Sequence, residues 1–77
     1  MNDNEICIFL GARVRALRLA KGWSQEELGA RSNLDRTYIS GIERGVRNPT
    51  VTVLRTLSEG LGIGISELFA DFDETSK

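Results

Sequence analysis

Residues 24–47 read SQEELGARSNLDRTYISGIERGVR, and the spacing of polar and apolar side chains within them decides the fold. Ser24 stands three residues before Glu27, the pattern of a capping box, in which the hydroxyl takes an orphan N–H and the carboxylate reaches back. A short helix follows with Leu28 facing inward. It ends near Ser32-Asn33, where Asn tolerates the left-handed backbone a tight turn needs. Asp35 is the expected N-cap of the next helix, which runs to about Arg44 and stops at Gly45. At about 100° per residue, Ile39 and Ile42 point to one side of this helix, with Tyr38 at its edge, and Leu34 adds an anchor just before the cap. Arg36, Thr37, Ser40, Gly41 and Arg44 fall on the other side. Two short helices joined by a tight turn, the second keeping a polar and partly cationic face free, form the layout that places a helix in the major groove of DNA.

Outward from this segment the chain reads as helix throughout, with no strand pattern. A first helix is expected from about Asn4 to Lys21, with Ile6, Leu10, Val14 and Leu17 on its apolar face and Gly22 as its stop. Trp23, at the corner that follows, packs there as a hydrophobic staple. Thr50 caps a fourth helix carrying Val53, Leu54, Leu57 and Leu61. Gly60, Gly62 and Gly64 then break the chain, and a short fifth helix, Ile65 to Ala70, buries Leu68. The expected architecture is all-α, five helices in one domain over residues 1–77, with a core from about 10 to 70 and an acidic tail at 71–77 that frays. Gly41 stands out, since a glycine inside a helix costs about 1 kcal/mol relative to alanine. Something must offset that cost, and close approach of another backbone is one candidate.

Composition narrows the class. The chain has 77 residues, 40% hydrophobic and 27% charged, which fits a small globular domain and not a disordered one. No apolar run approaches a membrane span and the first residues do not resemble a signal peptide, so a cytoplasmic protein without membrane contact is expected. Cys7 is the single cysteine and there is no histidine, so neither an intramolecular disulfide nor a zinc site is expected. The net charge of −1 conceals a partition. Residues 11–47 carry eight cationic side chains against four carboxylates, a net +4, while residues 1–10 and 48–77 carry −2 and −3. The positive charge sits on the segment with the free helix face, and local field governs contact with phosphates.

The same segment closely resembles the helix-turn-helix of the phage repressor, Cro and XRE family. The motif starts at Gln25, has Leu28 three residues on with the small Gly29 next, turns at Ser32-Asn33, and sets Leu34, Ile39 and Ile42 inward. RALRLAKGWSQEEL before it, and IERGVRNPT and LGIGISELF after it, extend the resemblance to about Leu10–Phe69. Two positions depart from the family, which usually has Ala where Gly29 stands and a polar residue or Ala where Cys7 stands. Cys7 is read as a small apolar helix residue. The resemblance implies a compact lambda-repressor-like DNA-binding domain with the helix-turn-helix in its second and third helices. NLDRTYISGIERGVRNPT is most like the controller proteins of bacterial restriction–modification systems, small dimeric regulators that bind operators near their own gene. Phage-type repressors and antitoxin-like proteins acting mainly through a protein partner are the alternatives.

On this resemblance Arg36 and Thr37 read bases, and Tyr38 contacts sugar-phosphate or a thymine methyl. Ser40, Arg44 and Asn48 hold the backbone, as does Gln25 at the N-terminus of the second helix, where the helix dipole favours a phosphate. Arg47 reaches toward the centre of the site. Arg18 and Glu43 are expected to face each other as a structural ion pair fixing the reading helix. A chain this small gains from dimerisation, and Leu61, Ile63, Ile65, Phe69 and Phe72 offer the apolar surface for it. Double-stranded operator DNA and a second copy are thus the expected partners, with RNA polymerase as a further one and no small-molecule ligand or cofactor. An enzyme is not expected, because the residues supply no nucleophile–base arrangement and no Gly-rich phosphate loop. The five helices use up the chain, which leaves no long extra segment to neutralise a toxin and argues against the antitoxin reading.

Overall fold

The structure is a computed structural model that describes residues 3–72. Four α-helices, α1 (Asp3–Ala20), α2 (Gln25–Ser32), α3 (Arg36–Glu43) and α4 (Val51–Leu61), precede a 3₁₀ segment at Ile65–Phe69, and no strand occurs among the described residues. The fifth helix of the sequence reading is therefore a 3₁₀ turn. The expected fraying tail beyond Phe72 lies outside the described residues.

Local chemistry sets the helix ends. Ser24 Oγ accepts from Glu27 N at 3.0 Å, Asp35 from Thr37 N at 2.7 Å and Thr50 Oγ1 from Val53 N at 3.2 Å, so each cap satisfies one orphan donor. The capping box at Ser24 is only half formed. Glu27 does not turn back but pairs with Arg31 one turn on, at 2.7 Å, because a cation on the same helix face competes for the carboxylate. Asn33 takes the left-handed conformation at φ 56°, and Leu34 N donates back to Gly29 O at 2.9 Å. This closes the tight turn between α2 and α3.

Leu10 and Val14 of α1, Leu28 of α2, Ile39 and Ile42 of α3, Leu57 and Leu61 of α4, and Leu68 of the 3₁₀ segment make one buried cluster. Burying each of these side chains contributes about 1.5–3 kcal/mol. α3 packs against both α1 and α2, α2 also packs on α4, and the 3₁₀ segment closes over α1 and α4. Glycines permit the close crossings. A Cβ at Gly11 would stand 2.4 Å from Ile42 O, one at Gly29 2.6 Å from Leu34 O, and one at Gly60 2.9 Å from Ser32 Oγ. Gly60 thus lies inside α4 and does not break it, contrary to the sequence expectation. Its bare α-carbon admits Ser32, whose hydroxyl donates to Leu28 O at 2.5 Å.

Candidate nucleic-acid interface

The orientation of α3 begins with a buried guanidinium. Arg18 Nε donates to Glu43 Oε2 at 2.7 Å and Nη2 to Oε1 at 2.9 Å, while Nη1 donates to Trp23 O at 2.8 Å. The two side chains are only 9% and 3% exposed. Hydrogen bonding to Glu43 raises the Arg18 pKa above its ordinary value, with burial opposing the shift and the carboxylate's charge reinforcing it. The fork therefore ties α1, the corner at Trp23 and the last turn of α3 into one rigid unit. The same carboxylate accepts from Gln25 Nε2 at 3.0 Å, which draws the first residue of α2 into the network.

With Glu43 turned inward, the outer face of α3 is left to cations and hydroxyls. Arg36, Thr37 and Arg44 are exposed, Ser40 is half-buried, and Arg44 Nε donates to Ser40 Oγ at 3.4 Å. Among the described residues none of Arg36, Arg44 and Arg47 forms an ion pair. Their charge is thus available to an external anion, and phosphate is the anion a protruding cationic helix meets in a groove. Arg47 and Asn48 are exposed in the loop just beyond α3, on the same side of the molecule as its C-terminal turn.

The structure places the remaining sequence-selected residues as follows. Tyr38 is half-buried against the core, and the Arg47 guanidinium lies over its ring, 5.4 Å from the centroid. Gly41 is not on the open face: it is buried, and what approaches it is the Arg47 side chain and not the backbone that the sequence offered as a candidate. Gln25 sits at the start of α2 as expected, with its amide held by Glu43. Trp23 packs against the core cluster and is flanked by Lys21 and Arg31, whose charges stand 5.2 and 4.2 Å from its ring.

The proposed dimer residues divide. Leu61 is 1% exposed and belongs to the core, so it is unavailable to a second copy. Its place four and seven residues beyond Leu57 and Leu54 was a signal for this, since that spacing puts all three on one helix face. Ile63 and Phe69 are half-buried and pack on the core, Ile65 is exposed, and Phe72 rests on Phe9 with ring centroids 5.0 Å apart. Arg13, which sequence reasoning passed over, donates to Ala70 O and lies 3.7 Å from Asp71, fastening the end of the described chain to α1. Among the described residues no cluster could hold a metal ion, and no helix is long and apolar enough to cross a membrane.

Comparison with known proteins bears directly on this face. A helix-turn-helix family profile, HTH_3, matches residues 14–68. The control protein C.MunI of Mycoplasma sp. is 46% identical over 72 residues, covering 92% of this chain and 97% of that protein. The fold is similar to the restriction–modification controller protein C.AhdI of Aeromonas hydrophila, with a TM-score of 0.80 at 46% identity over 82% of this chain and 96% of that one. It is also similar to the controller protein C.Esp1396I, solved as a tetramer with its natural 35 base-pair operator, with a TM-score of 0.77 at 42% identity over 83% and 84% of the two chains.

Proposed function

The chain belongs to the HTH_3 helix-turn-helix family of DNA-binding regulators, which are not enzymes, and from that premise we propose that it is a transcriptional regulator of restriction–modification genes, its own among them. One observation carries the reading: α3 presents Arg36, Thr37 and Arg44 outward with no carboxylate to neutralise them, because Glu43 is consumed internally by Arg18. A homodimer with two-fold symmetry sets two copies of α3 in successive major grooves, roughly 34 Å apart, on a pseudo-palindromic operator. Arg36 reads guanine through a bidentate contact and Thr37 reads its neighbour. Tyr38 and Arg47 address the sugar-phosphate and the centre of the site. Ser40, Arg44, Asn48 and the N-terminus of α2 at Gln25 hold phosphates. Ile63, Ile65, Phe69 and Phe72 supply the dimer face. Such a regulator works in the cytoplasm, and RNA polymerase is the further partner that regulation at a promoter entails.

Selection of duplexes from a random pool by the purified chain, followed by footprinting, tests this. A recurring two-fold symmetric sequence, found beside restriction or methyltransferase genes and the chain's own gene, is the expected result. Recovery of unrelated sequences with uniform affinity would overturn it.

A further inference from the structure

α3 carries a glycine where alanine would make the helix about 1 kcal/mol more stable, and the structure shows what fills the missing side chain's place. A Cβ at Gly41 would stand 2.7 Å from Arg47 Cγ, 3.2 Å from Nε and 3.5 Å from Cδ, so its three nearest neighbours all belong to one side chain. The end of α3 delivers that side chain there. Gly45 N donates to Ile42 O at 3.0 Å and Val46 N to Gly41 O at 3.1 Å, so Arg47 begins one residue beyond a pinned turn. Tyr38 lies three residues before Gly41, on the same helix face. Arg47 therefore runs over the bare α-carbon of Gly41 and ends with its guanidinium 5.4 Å from the Tyr38 ring centroid, within cation–π reach. A β-carbon at position 41 closes that path.

We propose that Gly41 is a positioning residue for DNA recognition: by lacking a side chain it seats Arg47 on Tyr38 and presets the direction in which the guanidinium meets DNA. This rests on the DNA-binding reading above. An arginine already confined to one path loses less rotamer freedom when it binds. The glycine thus trades helix stability for a pre-organised contact, and it acts through Arg47 and not through the fold.

The test is a double-mutant cycle on a duplex selected from a random pool by the wild-type chain, comparing wild type, Gly41→Ala, Arg47→Ala and the double variant. Gly41→Ala is expected to bind roughly three- to tenfold more weakly while melting no lower than wild type. In the Arg47→Ala background the same change is expected to be silent. Gly41→Ala binding as tightly as wild type or more tightly would overturn the proposal, as would an equal loss with and without Arg47. Proton NMR of the wild-type chain checks the seating independently of any variant at position 41. The Arg47 methylene protons should be shifted upfield by the Tyr38 ring and return in Tyr38→Leu, and random-coil positions in wild type would refute the seating. Failure of wild type to select any duplex would instead bring down the DNA-binding reading, with the NMR result deciding the seating alone.

Discussion

Glu43 receives hydrogen bonds from Arg18 of α1 and Gln25 of α2 while belonging to α3 itself. Removing its charge strands a guanidinium whose side chain is 9% exposed, and breaking one partner of such a pair costs about 3 kcal/mol even where the intact pair adds little. Glu43→Gln is therefore expected to lower the urea midpoint markedly and to weaken operator binding; a variant unchanged in both would refute the orienting role. Arg18 brings no pH dependence near neutrality. Arg18 has a raised pKa in the folded state, so its contribution is fully present below the ordinary arginine value and is lost only far into the alkaline range. On the outer face the residues separate by what they touch. Arg36→Ala should cost about 1–3 kcal/mol on a selected duplex and relax its sequence preference, whereas Arg44→Ala should weaken all duplexes alike and reduce the salt slope by about one. Titrations showing equal loss on selected and random DNA for the Arg36 variant would contradict its base-reading role.

At the scale of the elements, one substitution made at three glycines should give two signs. Gly11 and Gly29 face main-chain oxygens at 2.4 and 2.6 Å from a built Cβ, one in α3 and one in the turn before it, and backbone yields less readily than a flexible side chain. Alanine at either is expected to destabilise by about 1–3 kcal/mol in urea titrations, although it favours helix intrinsically. Gly41 faces only a flexible side chain, so alanine there should leave stability unchanged or raise it by up to about 1 kcal/mol. A stabilised Gly11→Ala would show that α1 and α3 have room to separate. The contrast marks what the sequence discloses. Caps and stops at Ser24, Asn33, Asp35, Gly45, Thr50 and Gly62 are legible because their chemistry is settled within a few residues. The inward face of α3 is legible from its period. What escaped depends on contacts between distant residues or on competition: Glu27 choosing Arg31 over its own cap, Gly60 staying helical to admit Ser32, and Arg47 lying over Gly41. Leu61 was misassigned to the surface even though its spacing from Leu54 and Leu57 placed it inside.

For the whole molecule, the net charge of −1 says little about what the surface does, because the charges are sorted. Three of the four carboxylates within the motif are engaged by the chain itself, Glu43 by buried Arg18, Glu27 by Arg31 at the surface and Asp35 in capping α3. The cationic helix face then stands clear. A single such face is a weak reader, since one short helix touches few base pairs. Joining two through a dimer makes the second contact intramolecular, which multiplies affinity without a new contact. Ile65, exposed on the 3₁₀ segment that packs on α1 and α4, is the side chain through which to break that linkage without opening the core. Ile65→Asp is expected to sediment as a monomer where wild type sediments as a dimer. Its helical content by circular dichroism should be retained, because the side chain it replaces contributes nothing to the buried cluster. On DNA, wild type should bind a duplex carrying two half-sites at least a hundredfold more tightly than one carrying a single half-site, in line with the range of about 10²–10⁴ for linked sites. The variant should bind the two almost equally, with its single half-site affinity unchanged. A wild-type chain that remains monomeric at high micromolar concentration, or a variant that keeps the two-site advantage, would move the dimer contact away from this face.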